Sequence, residues 1–297
     1  MSSKAGSLNL IGAGRVGSAL GQLWARAGVF EVQDVLTRSR ASANAAVHAM
    51  GAGRAAEVMD DMRAADVWLL ATPDDAIAPV CRTLAGSGRL QPGNIVFHVS
   101  GATPAAALDP ARGCAACIAS AHPIKTFSNR ESAVRSFNGT YCAMEGDAQA
   151  LGVLKPAFAR IGAQIFDITP EMKGIYHAGG VFACNYLAAL IEASVMCHDA
   201  AGVPRAVSLK AVEPMVRETV DAIFEVGPAR ALTGPVSRGD VGTVGRQLEA
   251  LQNWNGDIAR LYCGLGLLAV ALAEAEHGLD SARAAELRRA FAAAGKR

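Results

Sequence analysis

Three glycines set the first constraint on this chain. Gly12, Gly14 and Gly17 stand in G-x-G-x-x-G spacing inside Leu8-Asn9-Leu10-Ile11-Gly12-Ala13-Gly14-Arg15-Val16-Gly17-Ser18-Ala19-Leu20. Leu8 to Ile11 is short, mostly apolar and β-compatible, whereas Val16, Leu20, Leu23 and Trp24 recur at helical spacing. Gly12 permits a tight turn that a Cβ would obstruct. Gly14 lets the backbone approach a diphosphate, and Gly17 lets the following helix lie close on its strand. The unpaired N–H groups of that helix's first turn complete an anion site. The strand before and the helix after separate this segment from a chance glycine pattern. Gly12, Ala13, Gly14, Arg15, Val16 and Gly17 are therefore expected to hold a dinucleotide.

The next strand selects which dinucleotide. Val32-Gln33-Asp34-Val35-Leu36-Thr37 reads as that strand, and its end reads Thr37-Arg38-Ser39-Arg40. A ribose 2′-hydroxyl calls for a carboxylate about 20 residues beyond the glycines, and none stands there. Two guanidiniums and hydroxyls stand there instead, which suits a 2′-phosphate. Thr37, Arg38 and Ser39 thus point to NADP rather than NAD. Asp34 lies inside the strand, too early for the ribose.

Further buried strands follow at Asp66 to Ala71, Asn94 to Val99, Ala115 to Ala121, Thr140 to Met144 and Gln164 to Ile168, with a weaker one at Gly51 to Ala55. Helical stretches alternate with them. Ligands of open α/β sheets bind beyond the carboxyl ends of the strands. That rule alone places Thr72, Pro73, Asp74, Ser100 and Gly101 along the cofactor cleft. It also delivers His122-Pro123 to the same edge, on a loop leaving its strand. At Thr169-Pro170-Glu171 the alternation stops. A long helix is expected from there to about Ala201, bent at Gly179-Gly180, with further helices at 206–226, 241–251, 257–277 and 280–293. The expected division is residues 1–169, an α/β dinucleotide-binding domain, and 170–297, an all-helical substrate and dimerisation domain.

Composition narrows the function classes. Acids (27) and bases (28) balance, so no basic stripe invites nucleic acid. The longest apolar run, about Leu261 to Ala273, is shorter than the roughly 20 residues a bilayer crossing needs. No membrane partner is expected. The first seven residues are polar, and the seven cysteines are odd in number and scattered. Reduced thiols in a cytoplasm are the expectation. Cys114-x-x-Cys117 lacks a second pair or a nearby His and reads as packing, and no metal is expected. The apolar helices of the second half predict a homodimer.

Three constellations carry candidate chemistry. Lys173 and His177 stand four apart on one helical face, with Asn185 two further steps of four along. Lys173 and Asn185 would lie about 18 Å apart at 1.5 Å per residue, so the three cannot share one substrate atom. His177 suits a proton donor near neutral pH, and the ammonium would lower its pKa. His122 is a second candidate donor. Leu232-Thr233-Gly234-Pro235-Val236-Ser237-Arg238-Gly239-Asp240 is polar and rich in turn residues. Arg238 there suits a substrate carboxylate. Alternatively Asp240 caps the next helix and pairs with Arg238.

Gly12-Ala13-Gly14-Arg15-Val16-Gly17, Ser100-Gly101-Ala102, His122-Pro123-Ile124-Lys125-Thr126-Phe127, Tyr176-His177-Ala178, Asn185-Tyr186-Leu187 and the segment Ala231 to Asp240 together resemble a family of predicted oxidoreductases. Its members join a Rossmann-like NADP-binding domain to a C-terminal helical domain of unknown function. The resemblance implies a Rossmann-like doubly wound sheet followed by an all-α domain. The family is similar in turn to pyrroline-5-carboxylate reductases, deazaflavin-dependent NADP reductases and β-hydroxyacid dehydrogenases, which implies a helical domain that dimerises and closes over the nicotinamide. The β-hydroxyacid dehydrogenases carry Lys-x-x-x-Asn on the corresponding helix, where this chain has Lys173 and His177. The expected activity is NADP(H)-dependent hydride transfer to or from a small carbonyl, imine or hydroxy acid at the domain junction. Its residues are His177, Lys173, His122, Asn185, Arg238 and Asp240. The alternatives are a non-catalytic NADP(H) sensor and a prephenate- or arogenate-type dehydrogenase.

Overall fold

The computed structural model describes residues 6–276 and 278–295. Compactness divides the chain into a first unit ending at Asn185 and a second beginning at Tyr186.

The first unit runs β1 (Gly6–Ile11), α1 (Arg15–Ala27), β2 (Phe30–Leu36), α2 (Arg40–Met50), β3 (Arg54–Ala56), β4 (Val67–Leu70), α3 (Asp74–Gly86) and β5 (Ile95–His98). It continues through a 3-10 stretch (Ala105–Cys114), β6 (Cys117–Pro123), α4 (Arg130–Arg135), β7 (Tyr141–Gly146), α5 (Ala148–Arg160), β8 (Gln164–Asp167) and α6 (Lys173–Gly180). The eight strands form one sheet in the order β3-β2-β1-β4-β5-β6-β7-β8. β4 and β5 read Val-Trp-Leu-Leu and Ile-Val-Phe-His, and every residue in them is buried. Helices cover both faces of such a sheet, so its central strands are apolar throughout rather than alternating. On one face Trp24 of α1 packs edge-on against Phe30, Phe97 and Phe158, at ring separations of 5.5, 6.2 and 5.0 Å. Its indole N–H donates to Ala157 O, which satisfies a polar atom inside the core. On the other face Trp68, Leu70, Val96 and Ile118 pack with Ile77, Leu84 and Leu108.

The sequence of strands reverses direction at β1. β2 lies on one side of it and β4 on the other, both parallel to it. The crevice beyond the carboxyl ends of β1 and β4 is therefore the topological switch point.

Two expectations are corrected. β6 extends through Pro123, so His122 stands within a strand and not on a loop after it. Its partner β7 runs antiparallel, pairing Ser120 with Glu145 and His122 with Ala143. The segment joining them holds only the six-residue α4, whose Arg130 donates to Gln22 and to the carbonyl of Ala49. That segment does not act as a crossover helix of the kind a parallel return requires. The expected long helix after Thr169 is a composite. It opens with a 3-10 turn (Pro170–Met172), continues as α6, widens into a π turn (Val181–Asn185) directly after Gly179-Gly180, and resumes as α7 (Tyr186–Ala200). Glycine lowers the cost of local rewinding, and π turns occur where a helix accommodates an extra residue.

The second unit contains α7, α8 (Arg205–Val226), α9 (Pro228–Ala231), α10 (Val241–Trp254), α11 (Gly256–Glu276) and α12 (Ser281–Ala294). Val244, Leu248, Cys263, Val270, Leu287 and Phe291 form its core. Gly266 is a close-approach glycine: a Cβ there would run into the Phe291 ring. Two helical runs, Pro170–Ala200 (31 residues) and Gly256–Glu276 (21 residues), are long and apolar enough to cross a membrane. They exceed the apolar run anticipated from sequence because the helices continue through isolated polar residues such as Glu192 and His198. Large apolar side chains stay exposed in this unit, among them Met215, Phe224 and Leu268.

Candidate active site

The glycine turn has the geometry its spacing requires. Gly12 adopts φ +86°, and a Cβ there would sit 2.5 Å from Ala71 O and 2.7 Å from Ala71 C. Its N–H donates to Leu36 O at 2.8 Å, which ties the turn to the end of β2. A Cβ on Gly17 would meet Ala71 Cβ and Gly12 O, both at 2.8 Å. Gly14 is different. It precedes α1 with an ordinary φ of −67°, and a Cβ there would meet nothing within 4 Å. The space in front of it is a cavity of about 440 Å³ lined by Gly14, Arg15, Val16, Thr72, Pro73, Asp74, Ser100 and Phe127, together with Ala71 and Val99. Seven of the expected cofactor residues thus share one cleft, Gly14, Arg15 and Val16 from the glycine motif and Thr72, Pro73, Asp74 and Ser100 from topology.

The cleft fits a diphosphate. No side chain caps the first turn of α1, and no acid stands in it, so its N–H groups are available to an anion. Thr72 Oγ1 is buried in the wall without a hydrogen-bond partner among the described residues, as a group awaiting a ligand would be. Arg15 is engaged by the neighbouring loop. Its guanidinium donates to the carbonyls of Phe127 and Ser128 at 3.2 and 3.0 Å, latching that loop beside the glycine turn.

At the end of β2 the candidate residues separate by role. Ser39 caps α2, accepting from Ser42 N–H at 3.2 Å. Thr37 Oγ1 donates to Ser39 O at 2.8 Å, and Arg40 pairs with Glu57. Arg38 is exposed and makes no ion pair among the described residues. Asp34 is fully buried between Arg54 at 2.8 Å and Arg63 at 3.0 Å. Burial pushes its pKa up, but the arginine hydrogen bonds outweigh this and hold the carboxyl below its usual range. This carboxylate is committed to the core edge and not to a ribose.

Beyond Ser100 lies a buried polar cluster. Lys173, at the start of α6, is 2% exposed, and its ammonium donates to Ser100 O at 3.1 Å and to Ser120 Oγ. Glu145 Oε1 lies 3.7 Å from Lys173 Nζ and accepts from Ala105 N–H at 2.6 Å. Burial lowers the Lys173 pKa, and Glu145 opposes the shift. Lys173, which the sequence offered as an activator beside His177, is therefore a buried clamp joining the ends of β5 and β6 to β7 and α6. Ser100 completes the clamp. Its hydroxyl donates to Asp74 Oδ2 at 2.8 Å and accepts from Thr103 N–H at 2.9 Å. The Ser100 N–H donates to His98 Nδ1 at 3.1 Å, so His98 Nε2–H donates to Pro104 O at 3.2 Å. Burial, reinforced by Lys173, holds His98 at a pKa of about 4, neutral at pH 7.

Gly101 stands between two imidazoles. A Cβ there would lie 2.6 Å from His177 Cδ2 and 2.8 Å from His122 Nε2. The two rings are 6.0 Å apart. His122 Nδ1 shares a hydrogen bond of 2.7 Å with Tyr176 Oη. Burial, then the charge of Lys173, lowers His122 to a pKa of about 4, and burial pushes Tyr176 up to about 12. Both are neutral at pH 7.

The remaining candidates are Asn185, Arg238 and Asp240. Asn185 is exposed at the end of the π turn. Arg238 and Asp240 belong to the second unit. Asp240 caps α10 by accepting from Thr243 N–H at 2.9 Å, and this bond lowers its pKa. Arg238 is exposed.

Residues 3–123 match the model of a Rossmann-like domain, and residues 140–268 match DUF2520, a domain of unknown function. The chain joins a Rossmann-like domain to a DUF2520 domain. No curated protein matches it. Among solved structures, a Thermotoga maritima protein is 24% identical with a TM-score of 0.73, covering 91% of this chain and 99% of its own. A candidate NADP oxidoreductase from Bacteroides fragilis is 21% identical with a TM-score of 0.71, again covering 91% and 99%. A pyrroline carboxylate reductase from Plasmodium falciparum, crystallised with NADP bound, is 14% identical with a TM-score of 0.55, covering 98% and 100%. These likenesses establish a shared fold.

The cluster draws on both matches, and the sequence named Ser100, His122 and Lys173 in it but not Ser120 or Glu145. Ser100, Ser120 and His122 lie in the Rossmann-like match, whereas Glu145, Lys173 and Tyr176 lie in the DUF2520 match. Glu145 and Ser120 carry no motif, and only the antiparallel β6–β7 pairing sets them opposite each other. Tyr176 was legible as part of the Tyr176-His177-Ala178 motif, but no role was given to it.

Proposed function

We propose that this chain is an oxidoreductase that binds NADP(H) and transfers hydride to or from a small carbonyl, imine or hydroxy acid. One observation carries the reading. The open cleft over Gly14 shares Ser100 with a cluster that sets two imidazoles beside Gly101. A bound dinucleotide would lie over Gly12 to Gly17, Thr72 and Ser100, and when reduced it supplies the hydride. His122 and His177 border the place where a substrate oxygen or nitrogen would exchange its proton. The names borne by the Bacteroides and Plasmodium neighbours support the same chemistry. A sensor would need the cleft without the imidazoles.

The choice of NADP rests on Arg38 and Asp34. No carboxylate stands at the end of β2, Asp34 within the strand is buried in an arginine pair, and Arg38 is exposed. Charge-assisted contacts to phosphate are strong. Arg38→Ala is expected to weaken NADPH binding about 10- to 100-fold, or roughly 1.4–2.8 kcal/mol, with NADH binding little changed. Fluorescence titration with both nucleotides measures this. Equal NADPH affinity in the variant would remove Arg38 from the site, and no NADPH binding by the wild type would remove the function.

We further propose a homodimer and a reducing, cytoplasmic compartment. The second unit leaves Met215, Phe224 and Leu268 exposed, and exposed apolar side chains of this size are the kind that subunit interfaces cover. All seven cysteines are free thiols. Light scattering is expected to return twice the chain mass at micromolar concentration, and a monomer there would refute the dimer.

A further inference from the structure

Tyr176 and His122 are 54 residues apart in sequence, yet they share a hydrogen bond of 2.7 Å beside Gly101, the residue after cleft-lining Ser100. We propose that they act as one proton-delivery unit for a carbonyl substrate, with Tyr176 acting through His122. The inference rests on the hydride-transfer reading above and names its substrate class.

The unit works with the hydrogen bond running in one direction. Tyr176 O–H donates to His122 Nδ1, which leaves the imidazole proton on Nε2. That nitrogen faces Gly101, where even a methyl group would lie 2.8 Å from it. Gly101 follows Ser100, which lines the cleft. As the carbonyl carbon accepts hydride from a reduced nicotinamide dinucleotide, the π pair moves onto oxygen. His122 Nε2–H breaks and the alcohol O–H forms. His122 Nδ1 takes the Tyr176 proton, leaving a phenolate that recovers its proton from water. One hydride and one proton are added in all, and alcohol oxidation is the same sequence reversed.

The charged and titratable groups facing His122 are Lys173 and His177 from α6 and Asp74 from α3, besides Tyr176. Burial and the ammonium keep His122 from becoming an imidazolium near pH 7, so it cannot serve as a simple acid there. Relayed from Tyr176, the proton comes from a phenol. An alkoxide is a stronger base than a phenolate, so the transfer runs downhill. An imine must instead carry its proton before hydride arrives, and the Lys173 ammonium disfavours that cation. A carbonyl is the better match.

Tyr176→Phe separates this role from packing, because it keeps the ring against Phe166 and His122 and removes only the hydroxyl. In the wild type without nucleotide, ¹⁵N NMR of the histidine side chains is expected to show His122 neutral near pH 7 with Nε2 protonated and Nδ1 accepting. In the variant the two tautomers are expected to mix. With NADPH and a panel of glyoxylate, pyruvate and aliphatic aldehydes, kcat is expected to fall about 100-fold, in the range general acid catalysis supplies. The NADPH Kd should stay within twofold. Unchanged kcat, an unchanged His122 tautomer, faster wild-type reduction of 1-pyrroline than of every carbonyl, or no carbonyl turnover at all would each overturn the proposal. A wild type that binds no NADPH fails at the earlier step, and the titration reports that separately from the NMR.

Discussion

Lys173→Met is expected to lower stability by about 3–5 kcal/mol, a fall in melting temperature of roughly 10 °C. The substitution nearly preserves volume but removes the charge. Glu145, 5% exposed, would then be a buried carboxylate facing no cation. Ser100 O and Ser120 Oγ would each lose a donor. A buried acceptor left without its partner costs more than the bond itself contributed. The double variant Lys173→Met, Glu145→Gln is expected to recover part of the loss, because the stranded charge goes with it. Thermal unfolding of the wild type and both variants measures this. A melting temperature within about 2 °C of wild type for the single variant would show that the clamp carries no load. Loss of the clamp also reaches the cleft, since Ser100 holds Asp74 as well as Lys173.

Gly12→Ala is expected to abolish dinucleotide binding. Two penalties add. The residue keeps φ +86°, which costs a β-carbon-bearing residue about 1–2 kcal/mol. Its methyl would also sit 2.5 Å from Ala71 O and 3.0 Å from Thr72 N, both backbone atoms held in the sheet edge. Either β1 or the exit of β4 must move, and both build the cleft. NADPH affinity is expected to fall by at least 100-fold, about 3 kcal/mol. Gly14→Ala is the informative contrast. Its methyl meets no protein atom within 4 Å, so the melting temperature should hold while the methyl occupies the space a diphosphate needs. Wild-type NADPH affinity in Gly12→Ala, or a Gly14→Ala variant that binds as well as wild type, would contradict this account of the turn.

The sheet and its cleft were largely legible in the residues because both arise from short-range constraints. Apolar runs such as Val67–Leu70 and Ile95–His98 announce buried parallel strands, and the positive φ at Gly12 is open to glycine wherever the turn lands. Asp34 was likewise placed correctly inside its strand, so its side chain was unavailable to a ribose. The buried polar cluster beside Gly101 was less legible. Helical periodicity put Lys173 and His177 on one face but did not say what that face meets. Lys173 turned out to be buried against Ser100, Ser120 and Glu145, while His177 borders Gly101.

Glycine spacing and strand hydrophobicity thus suffice for the anion cleft, because a positive φ or a two-sided burial is a property of a few consecutive residues. The partnership of Tyr176 with His122, and of Lys173 with Glu145, waited on the antiparallel placing of β7 and the landing of α6 beside the ends of β5 and β6. Electrostatics in a dry interior depends on which charges end up within a few ångströms of each other, and chain folding alone sets those distances.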